Sequence, residues 1–513
     1  MSFKFTYLLK IALSFSAIFV WNQFHAQKDL LTLLPGAKKL GYHEKQGYHR
    51  LIGPVNFIYQ GNTMYSDSAH FYDKKKAVRA YGNVHIVKDG VNLFCDSLYY
   101  NGITKKAKLW GHVRVRDAAY KLTTDTLEYD AGKKVASYHY GGKVEGNEHG
   151  EVLTSKHGNM YPNSKNVSFG GNVIYKDQDM TMTTDTLKYL YAKRIVQFHG
   201  PTKIVQQEKI IHCEKGWYHI ETEEGHLYQH AMVENKHQTI KGDTLIYQPK
   251  KGITKGYGKV SFSDTIEKTT FFADQAIHNT LKKTTLLKGH AVVMKQMNKD
   301  SLFIHADTLF QISDSLDRSK IIKAYHHAQL FHKSVQGKCD SIVMNLDTNL
   351  IEMYIDPIVW ANKGELKGTH IQAHINDSVI YQVDILGQAN AILELDSGQY
   401  YNQLSGKEIF GYLKDNEFYQ AKIIGNARTI FYPLEELKTD STLTYVRKGM
   451  NRLYASELKV YIDSNEVKGV TYYEKPDGVF YPMDRIVKEE QFIPNFQLNP
   501  ALRPKDWKNW INQ

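Results

Sequence analysis

A short motif that begins with an acidic residue recurs along the chain at a nearly fixed interval. Its clearest copies read D-[ST]-L-x-Y and begin at Asp96, Asp125, Asp185 and Asp243. The spacing of the acidic position is roughly 29 residues in the N-terminal half and rises to roughly 33 residues towards Asp340, a range typical of supersecondary units that stack on one another. The repeat therefore predicts a repeat protein rather than a set of unrelated domains.

Each repeat reads as two β-strands joined by a polar turn that carries a pair of basic residues. In the strand after the turn, Leu109, Gly111, Val113 and Val115 lie on one face, because successive side chains of a strand point to opposite sides. A glycine inside a strand usually marks a bend, a bulge or a close backbone approach. A bend at the same place in every repeat predicts long strands that cross two facing sheets, with the apolar residues inside.

The N-terminal segment, residues 1–26, is predicted to be a signal peptide. Lys4 and Lys10 precede the apolar run IALSFSAIFVW, and Ala26 is a small residue suited to cleavage. The alternative is an uncleaved anchor, but the apolar run is short for a membrane-spanning helix. Cleavage would remove the two lysines and no acid, so the formal net charge would fall from +11 to +9. The exported, soluble product would favour an anionic partner.

The candidate reactive residues favour structural roles. Cys95, Cys213 and Cys339 each precede the acidic position in distant repeats, too far apart for disulfides, so we expect small buried apolar residues. An acid that recurs once per repeat is expected to close a turn rather than to catalyse. Residues i and i+4 of a strand, such as His226 and His230, lie about 13 Å apart and predict no metal site. The sequence predicts no catalytic residue, no cofactor and no nucleic-acid partner.

The segment GNVHIVKDGVNLFCDSLYYNGITKKAKLWGHVRV, residues 82–115, resembles the OstA-like repeat of lipopolysaccharide-transport bridge proteins of the LptA type. The matching positions include Gly82, Val84, Asp96, Gly111 and Val113, and the pattern is clear over residues 50–345 and fainter to 475. The resemblance implies an all-β fold, an elongated, taco-like β-jelly roll of stacked antiparallel strands built from these repeats. The expected organisation is a signal peptide (1–26), a lead-in (27–50), OstA-like repeats (51–395), degenerate β repeats (396–475) and a C-terminal cap or tail (476–513).

The resemblance also implies a function. It predicts a non-enzymatic periplasmic bridge protein, with or without association with the outer membrane, that carries lipopolysaccharide or a related glycolipid. Other bridge or outer-membrane proteins would join it by adding a strand to a sheet edge. The inward residues expected to line the lipid groove are Val84, Ile86, Val113, Val115, Val144, Val173, Tyr175, Ile204, Val260, Phe262 and Val293. The candidates for phosphate contact are Lys105, Lys106, Lys133, Lys134, Lys193 and Arg194.

Two other functions remain open at the level of sequence. A structural or adhesive surface β-solenoid would have a closed, fully packed interior. A carbohydrate-active β-helix enzyme would have a local cluster of acids on one face, whereas the acids of this chain are spread through the turns.

Overall fold

The computed structural model describes residues 32–511, apart from short gaps at 60–61, 89, 117, 119, 147–149, 162–165, 191–192, 220, 298–299, 316–317, 377–378, 415–416, 440–441 and 464–465. The predicted signal peptide lies outside the described residues. The chain divides into two units, residues 1–254 and 255–513, which we call unit 1 and unit 2. The described residues contain no helix with the length and apolar character that a membrane span requires.

Unit 1 is built from strands joined mostly by short turns. They are β1 (Thr32–Leu34), β2 (Lys39–His43), β3 (Tyr48–Tyr59), β4 (Asn62–Tyr72), β5 (Ala77–Lys88), β6 (Val91–Asn101), β7 (Lys106–Arg116), β8 (Tyr120–Asp130), β9 (Val135–Tyr138), β10 (Gly142–Gly146), β11 (Val152–Ser155), β12 (His157–Tyr161), β13 (Asn166–Lys176), β14 (Met180–Leu190), β15 (Ile195–Gln206), β16 (Lys209–His219), β17 (Gly225–Glu234) and β18 (Gln238–Gln248). Short 3-10 turns span Glu44–Gln46 and Pro249–Lys251.

Unit 2 continues with strands of the same kind. They are β19 (Ile253–Asp264), which begins at the unit boundary, β20 (Thr269–Asn279), β21 (Thr284–Gln296), β22 (Ser301–Ser313), β23 (Ser319–Tyr325), β24 (Gln329–Phe331), β25 (Val335–Lys338), β26 (Ser341–Asn345), β27 (Leu350–Tyr354), β28 (Ile358–Ala361), β29 (Gly364–Lys367), β30 (His370–Asn376), β31 (Val379–Leu395), β32 (Tyr400–Lys414), β33 (Glu417–Phe431), β34 (Leu434–Thr439), β35 (Thr442–Arg447), β36 (Gly449–Asp463), β37 (Glu466–Tyr473) and β38 (Asp477–Pro482). Four 3-10 turns (Asp396–Gly398, Met483–Arg485, Lys488–Glu490, Pro500–Leu502) and one short helix, α1 (Lys508–Ile511), complete it.

The long strands turn a corner near their middle, and the corner divides each into two arms. At the corner of β5 the pairing with β6 shifts between Tyr81 and Val84, and Gly82 and Asn83 both have positive φ. In a strand that carries the acidic motif residue, the first arm is the segment after that residue, up to the turn with the basic pair. The second arm is the segment before that residue. Neighbouring strands are divided in the same way by their own corners. In unit 2 the arms form separate series, β23-β26-β27-β30 and β24-β25-β28-β29, and β22 pairs with both. The predicted all-β fold of stacked antiparallel strands is confirmed.

The repeated acidic residue closes the corner. The Asp96 Oδ2 atom lies 2.7 Å from His112 Nδ1, directly after Gly111. The same contact recurs for Asp67–Asn83, Glu214–His230, Asp274–His290 and Asp307–His327. A Cβ atom on Gly111 would lie 2.3 Å from Asp96 Oδ2, so the glycine both adopts φ +76° and leaves room for the carboxylate. The acid therefore has the structural role that its recurrence predicts.

The two units fill their interiors with different side chains. The main core of unit 1 contains eight buried aromatic residues: Tyr120, Tyr129, Tyr138, Phe169, Tyr175, Tyr189, Phe198 and Tyr218. The main core of unit 2 is almost entirely aliphatic, and Phe271 is its one fully buried aromatic residue among those described. The inward side chains of unit 2 are consequently smaller than those of unit 1, although both units are built from strands with two arms.

Candidate functional site

The structure places the predicted groove residues inside the sheets. Nine of the eleven are buried, and Ile86 and Phe262 are half-buried against the same cores. Val113, Val144 and Tyr175 have no exposed surface, because neighbouring side chains already cover them. The inward orientation agrees with the alternation of the sequence, and contact of these residues with a lipid stays a prediction.

The six predicted phosphate-contact residues lie in or beside the first-arm turns of unit 1. Lys105, Lys134 and Arg194 have positive φ at the ends of those turns. Three of the six have acidic neighbours: Lys106 Nζ lies 3.6 Å from Asp130, Arg194 Nε lies 3.4 Å from Glu221, and the charge of Lys133 also acts on Asp130. Their charge is therefore partly balanced within the protein, and contact with phosphate also stays a prediction.

A cavity of about 620 Å³ lies between the two arms of unit 2. The alternation of β27 and β30 turns Ile351, Ile371 and Ala373 towards it from the first arm. The second arm contributes Leu302 of β22, Leu330 of β24, Val335 of β25, Val359 of β28 and Leu366 of β29. These apolar side chains belong to strands of two facing sheets, so the cavity occupies the space that the fold predicts for a trough.

A second cavity, of about 140 Å³, continues along the same interior. It shares five lining residues with the first: Ala361, Asn362, Leu366, Val383 and Phe418. It then extends to Val460 and Ile462 of β36 and to Val467 and Val470 of β37. The apolar space of unit 2 is therefore longer than either cavity alone.

One end of the larger cavity is polar. Asp300, His332, Lys333 and Ser334 border it, at the turns between β21 and β22 and between β24 and β25. Burial lowers the pKa of His332, which favours its neutral form, and His332 Nδ1 lies 2.9 Å from Ser334 Oγ. Lys333 is exposed and supplies a cation at the rim. A long apolar space with a cation at its rim is suited to an amphipathic anion.

Sequence reasoning missed these cavity residues because it followed the strongest motifs. Eight of the eleven predicted groove residues lie in unit 1, whereas the cavity linings span residues 297–470, where the motif has weakened. A sequence signal that could have located the cavity is the loss of large aromatic residues from the inward positions of the strands. In unit 1 those positions include Tyr129 and Phe169, and in the cavity region they are Ile351, Ile371 and Ala373.

The cysteines and the candidate metal ligands lie apart from the cavity region or do not cluster in the described residues. Cys95, Cys213 and Cys339 are buried free cysteines, as predicted, and burial raises the pKa of each thiol to about 12. No group of three or more His, Cys, Asp or Glu side chains is placed to hold a metal ion in the part of the chain that the structure describes.

Comparison with known proteins finds a family model that matches the N-terminal part of the chain. Residues 36–185 and 169–243 match the model of the OstA-like protein family. None of the curated proteins compared with the chain matches it. Among solved structures, the crystal structure of LptH, the LptA homologous periplasmic component of the conserved lipopolysaccharide transport device from Pseudomonas aeruginosa, is 16% identical. That match covers 28% of this chain and 80% of the other, with a TM-score of 0.15. The resemblance predicted from the repeats is confirmed over residues 36–243, which match the model of the OstA-like family.

Proposed function

We propose that this protein is a non-enzymatic glycolipid carrier of the lipopolysaccharide-transport type, which holds acyl chains between the two arms of its sheets. The observation that carries the proposal is the apolar cavity of about 620 Å³ in unit 2, with Lys333 at its polar end. The OstA-like region supports the same reading, because the sequence resemblance implies lipopolysaccharide transport.

The size and lining of the cavity suit an acyl chain. Ligand pockets in proteins commonly have volumes of about 300–1,000 Å³, and an apolar lining gains about 0.8 kcal/mol for each methylene group that it buries. Lys333 at the rim would attract the phosphate or carboxylate of a head group while the chain stays in the cavity. The eight predicted groove residues of unit 1 would extend this apolar surface if ligand also enters that unit.

The proposed setting is the periplasm, with partners that join at the sheet edges. β2 pairs with β3 along one side, and its other side has no strand partner among the described residues. Leu40 and Tyr42 on β2 are 67% and 59% exposed, which is high for large apolar side chains. An open edge with exposed apolar residues can accept a strand from a neighbouring protein. Strand addition would let other bridge or outer-membrane proteins connect to this chain.

The alternative is a structural or adhesive surface protein with a filled interior. The aromatic core of unit 1 favours it, because that core leaves the predicted groove residues with almost no accessible surface. The cavities of unit 2 favour the carrier, because a purely structural stack gains stability by filling such space.

Photo-crosslinking in cells tests the carrier. A photoreactive residue at Ile371 samples the cavity, residues at Val113 and Val173 sample unit 1, and the exposed Arg114 is the control. We expect a lipopolysaccharide adduct at Ile371 and none at Arg114. Adducts at Val113 and Val173 alone would move the binding site to unit 1. A protein that folds normally and gives no adduct at any inward position would favour the structural alternative.

A further inference from the structure

The C-terminal segment of unit 2, residues 488–511, runs along the outer face of the second arm, and we call it the strap. The strap meets one residue on each of five strands, always four positions before the corner residue. The pairs are Arg452–Glu490, Gln403–Ile493, Glu365–Asn499, Gln336–Arg503 and Phe303–Trp507. The corner residues that follow are Ser456, Lys407, Thr369, Asp340 and Asp307. The strap therefore contacts the same register position on each of these strands.

Polar side chains of the second arm are buried under the strap. Gln403, Glu365 and Gln336 are 0%, 4% and 5% exposed, although they point to the outer face. Burial of such groups is costly unless they are hydrogen-bonded. Asn499 donates to Glu365 from its backbone N at 2.9 Å and from Nδ2 at 3.0 Å, and the backbone N of Ile493 donates to Gln403 Oε1 at 2.9 Å. The strap thus supplies part of the hydrogen bonding that these buried groups need, and the arm itself supplies the rest.

Side chains rather than a β-ladder hold the strap in place. It contains no strand, and Pro494, Pro500 and Pro504 lack the backbone N–H that a ladder requires. Near its end, the Trp507 ring stacks on Phe303 at 4.1 Å, and the Trp510 ring stacks on His305 at 5.3 Å. A segment bound in this way can leave the sheet without breaking any strand pairing.

Arg503 connects the strap to two turns that line the larger cavity. Its Nε donates to Gln336 Oε1 at 2.7 Å, and Gln336 Nε2 donates to the carbonyl of His332 at 2.6 Å. Its Nη1 donates to the carbonyl of Asn362 at 3.0 Å. His332 and Asn362 belong to the turns between β24 and β25 and between β28 and β29, and both line the cavity. One guanidinium therefore fixes two neighbouring turns at the rim.

We propose that the strap is a clamp on the second arm of unit 2, and that its release at Arg503 loosens the rim and admits ligand to the cavity. The clamp follows from the contacts of the strap, whereas the nature of the ligand rests on the proposed function. Arg503 is a positioning residue in this account, because it acts on the cavity through Gln336 and through the turn at Asn362.

The test uses the full-length protein with Arg503→Ala, and Arg485→Ala is the matched control. Arg485 precedes the strap, and its side chain is 80% exposed. Hydrogen exchange is followed at residues 331–336 and 361–365, and entry of the fluorescent fatty acid cis-parinaric acid is followed by stopped flow. We expect roughly tenfold faster exchange in both turns and several-fold faster probe entry with Arg503→Ala, because local opening governs both rates. Arg485→Ala should change neither.

A second variant, Trp507→Ala, keeps Arg503 and loosens the strap at its far end. We expect the same two turns to exchange faster, to a smaller extent. Unchanged exchange in both variants would overturn the clamp, and faster exchange with unchanged probe entry would overturn the control of access. Faster exchange in a protein that binds no probe at all would support the clamp and count against the proposed carrier function, so the two proposals fail in distinguishable ways.

Discussion

Unit 1 and unit 2 use the same bent strands, yet they differ in what stands on the inner face. The core of unit 1 contains eight buried aromatic residues, and Val113, Tyr138 and Tyr175 have no exposed surface. The core of unit 2 is aliphatic and encloses cavities of about 620 and 140 Å³. Side-chain volume on one face of the strand, rather than strand geometry, therefore decides whether a given part of this chain is packed or hollow.

The corners and the outer faces of the strands also differ between the earlier repeats and the later repeats of unit 2. Acid–imidazole or acid–amide pairs close corners in unit 1 and in the first part of unit 2, as at Asp96 and Asp274. Beyond residue 365 the corner position is Thr369, then Lys407 and Ser456. The strap covers the outer face of this later region and reaches back to Gln336 and Phe303. Unit 2 thus combines an interior with empty space, later corners without acids and an external segment that holds one arm.

The largest effect is expected when the same substitution is made in the two interiors. Ala136 is fully buried in the aromatic core of unit 1, whereas Ala373 lines the larger cavity of unit 2. Ala136→Phe should destabilise unit 1 by about 3 kcal/mol or more, because overpacking forces strain on a filled core. Ala373→Phe should cost less than about 1 kcal/mol, because the ring enters empty space, and it should weaken binding of an acyl ligand.

Thiol labelling during urea unfolding measures this difference unit by unit. Cys95 and Cys213 report on unit 1, and Cys339 reports on unit 2, because all three thiols are buried and burial raises their pKa to about 12. We expect Ala136→Phe to expose Cys213 at lower urea and to leave Cys339 nearly unchanged. Equal destabilisation by the two substitutions would mean that unit 2 is as well packed as unit 1.

The second effect concerns the corner glycines. Gly111→Ala would place a Cβ atom 2.3 Å from Asp96 Oδ2 at φ +76°, whereas Gly90, at φ +82°, has no atom within 4 Å of that position. Both variants carry the backbone cost of a left-handed residue, and only Gly111→Ala adds the clash with the carboxylate. We expect a loss of about 2–3 kcal/mol at Gly111 and about 1 kcal/mol at Gly90, measured by labelling of Cys95. Similar losses would show that Asp96 can move aside without cost.

The repeat spacing and the alternation were sufficient to predict the β fold, the bend at Gly82 and Gly111 and the inward side of Val84 and Val113. They were sufficient because both features depend on local backbone rules and on period 2, which the sequence displays directly. The cavity could not be predicted in the same way. It depends on the sum of side-chain volumes on the two arms, for example Ile351 of the first arm and Val359 of the second, and no single repeat shows that sum.

The strap was equally hidden from the sequence. The tail was predicted to be a cap or a tail of residues 476–513, and its prolines indicated only that it leaves the strand pattern. Its binding site consists of Gln336, Glu365 and Gln403, which lie far apart in the chain. They lie in one row only when the strands stack in register, and the register is known only from the three-dimensional structure.

The third effect concerns the pH dependence of stability at two half-buried lysines, Lys209 in unit 1 and Lys295 in unit 2. Burial lowers the pKa of Lys209 to about 8. Burial also lowers the pKa of Lys295, although Glu267, 3.7 Å away, partly offsets the shift. A lysine with a lowered folded-state pKa binds its proton less tightly in the folded than in the unfolded protein, so it reduces stability below pH 8. That loss disappears as the pH rises from about 8 towards the unfolded value of about 10.4.

The corresponding substitutions are Lys209→Met and Lys295→Met. At pH 7 we expect Lys209→Met to stabilise unit 1 by about 1–3 kcal/mol, with a gain that shrinks above pH 8. Lys295→Met should gain less, because it leaves the Glu267 carboxylate without its cation. Urea unfolding at pH 7 and pH 9.5 measures both. A gain for Lys209→Met that stays constant with pH would show that the amine is not the cause.

The smallest expected effect is the contribution of the contact between the corner acid and the next strand to the free energy of unfolding. Asp96 and His112 form a short contact, but both side chains are mostly exposed. A double-mutant cycle with Asp96→Ala and His112→Ala should give a coupling of about 0.5–1 kcal/mol, in the range of exposed ion pairs and hydrogen bonds. Lys407→Ala, at a corner without an acid, should be neutral within about 0.5 kcal/mol. If the Asp96 cycle is additive, the acid matters for turning the strand past Gly111 and not for binding His112. The change to Thr369 and Lys407 in the later repeats would then cost unit 2 little stability.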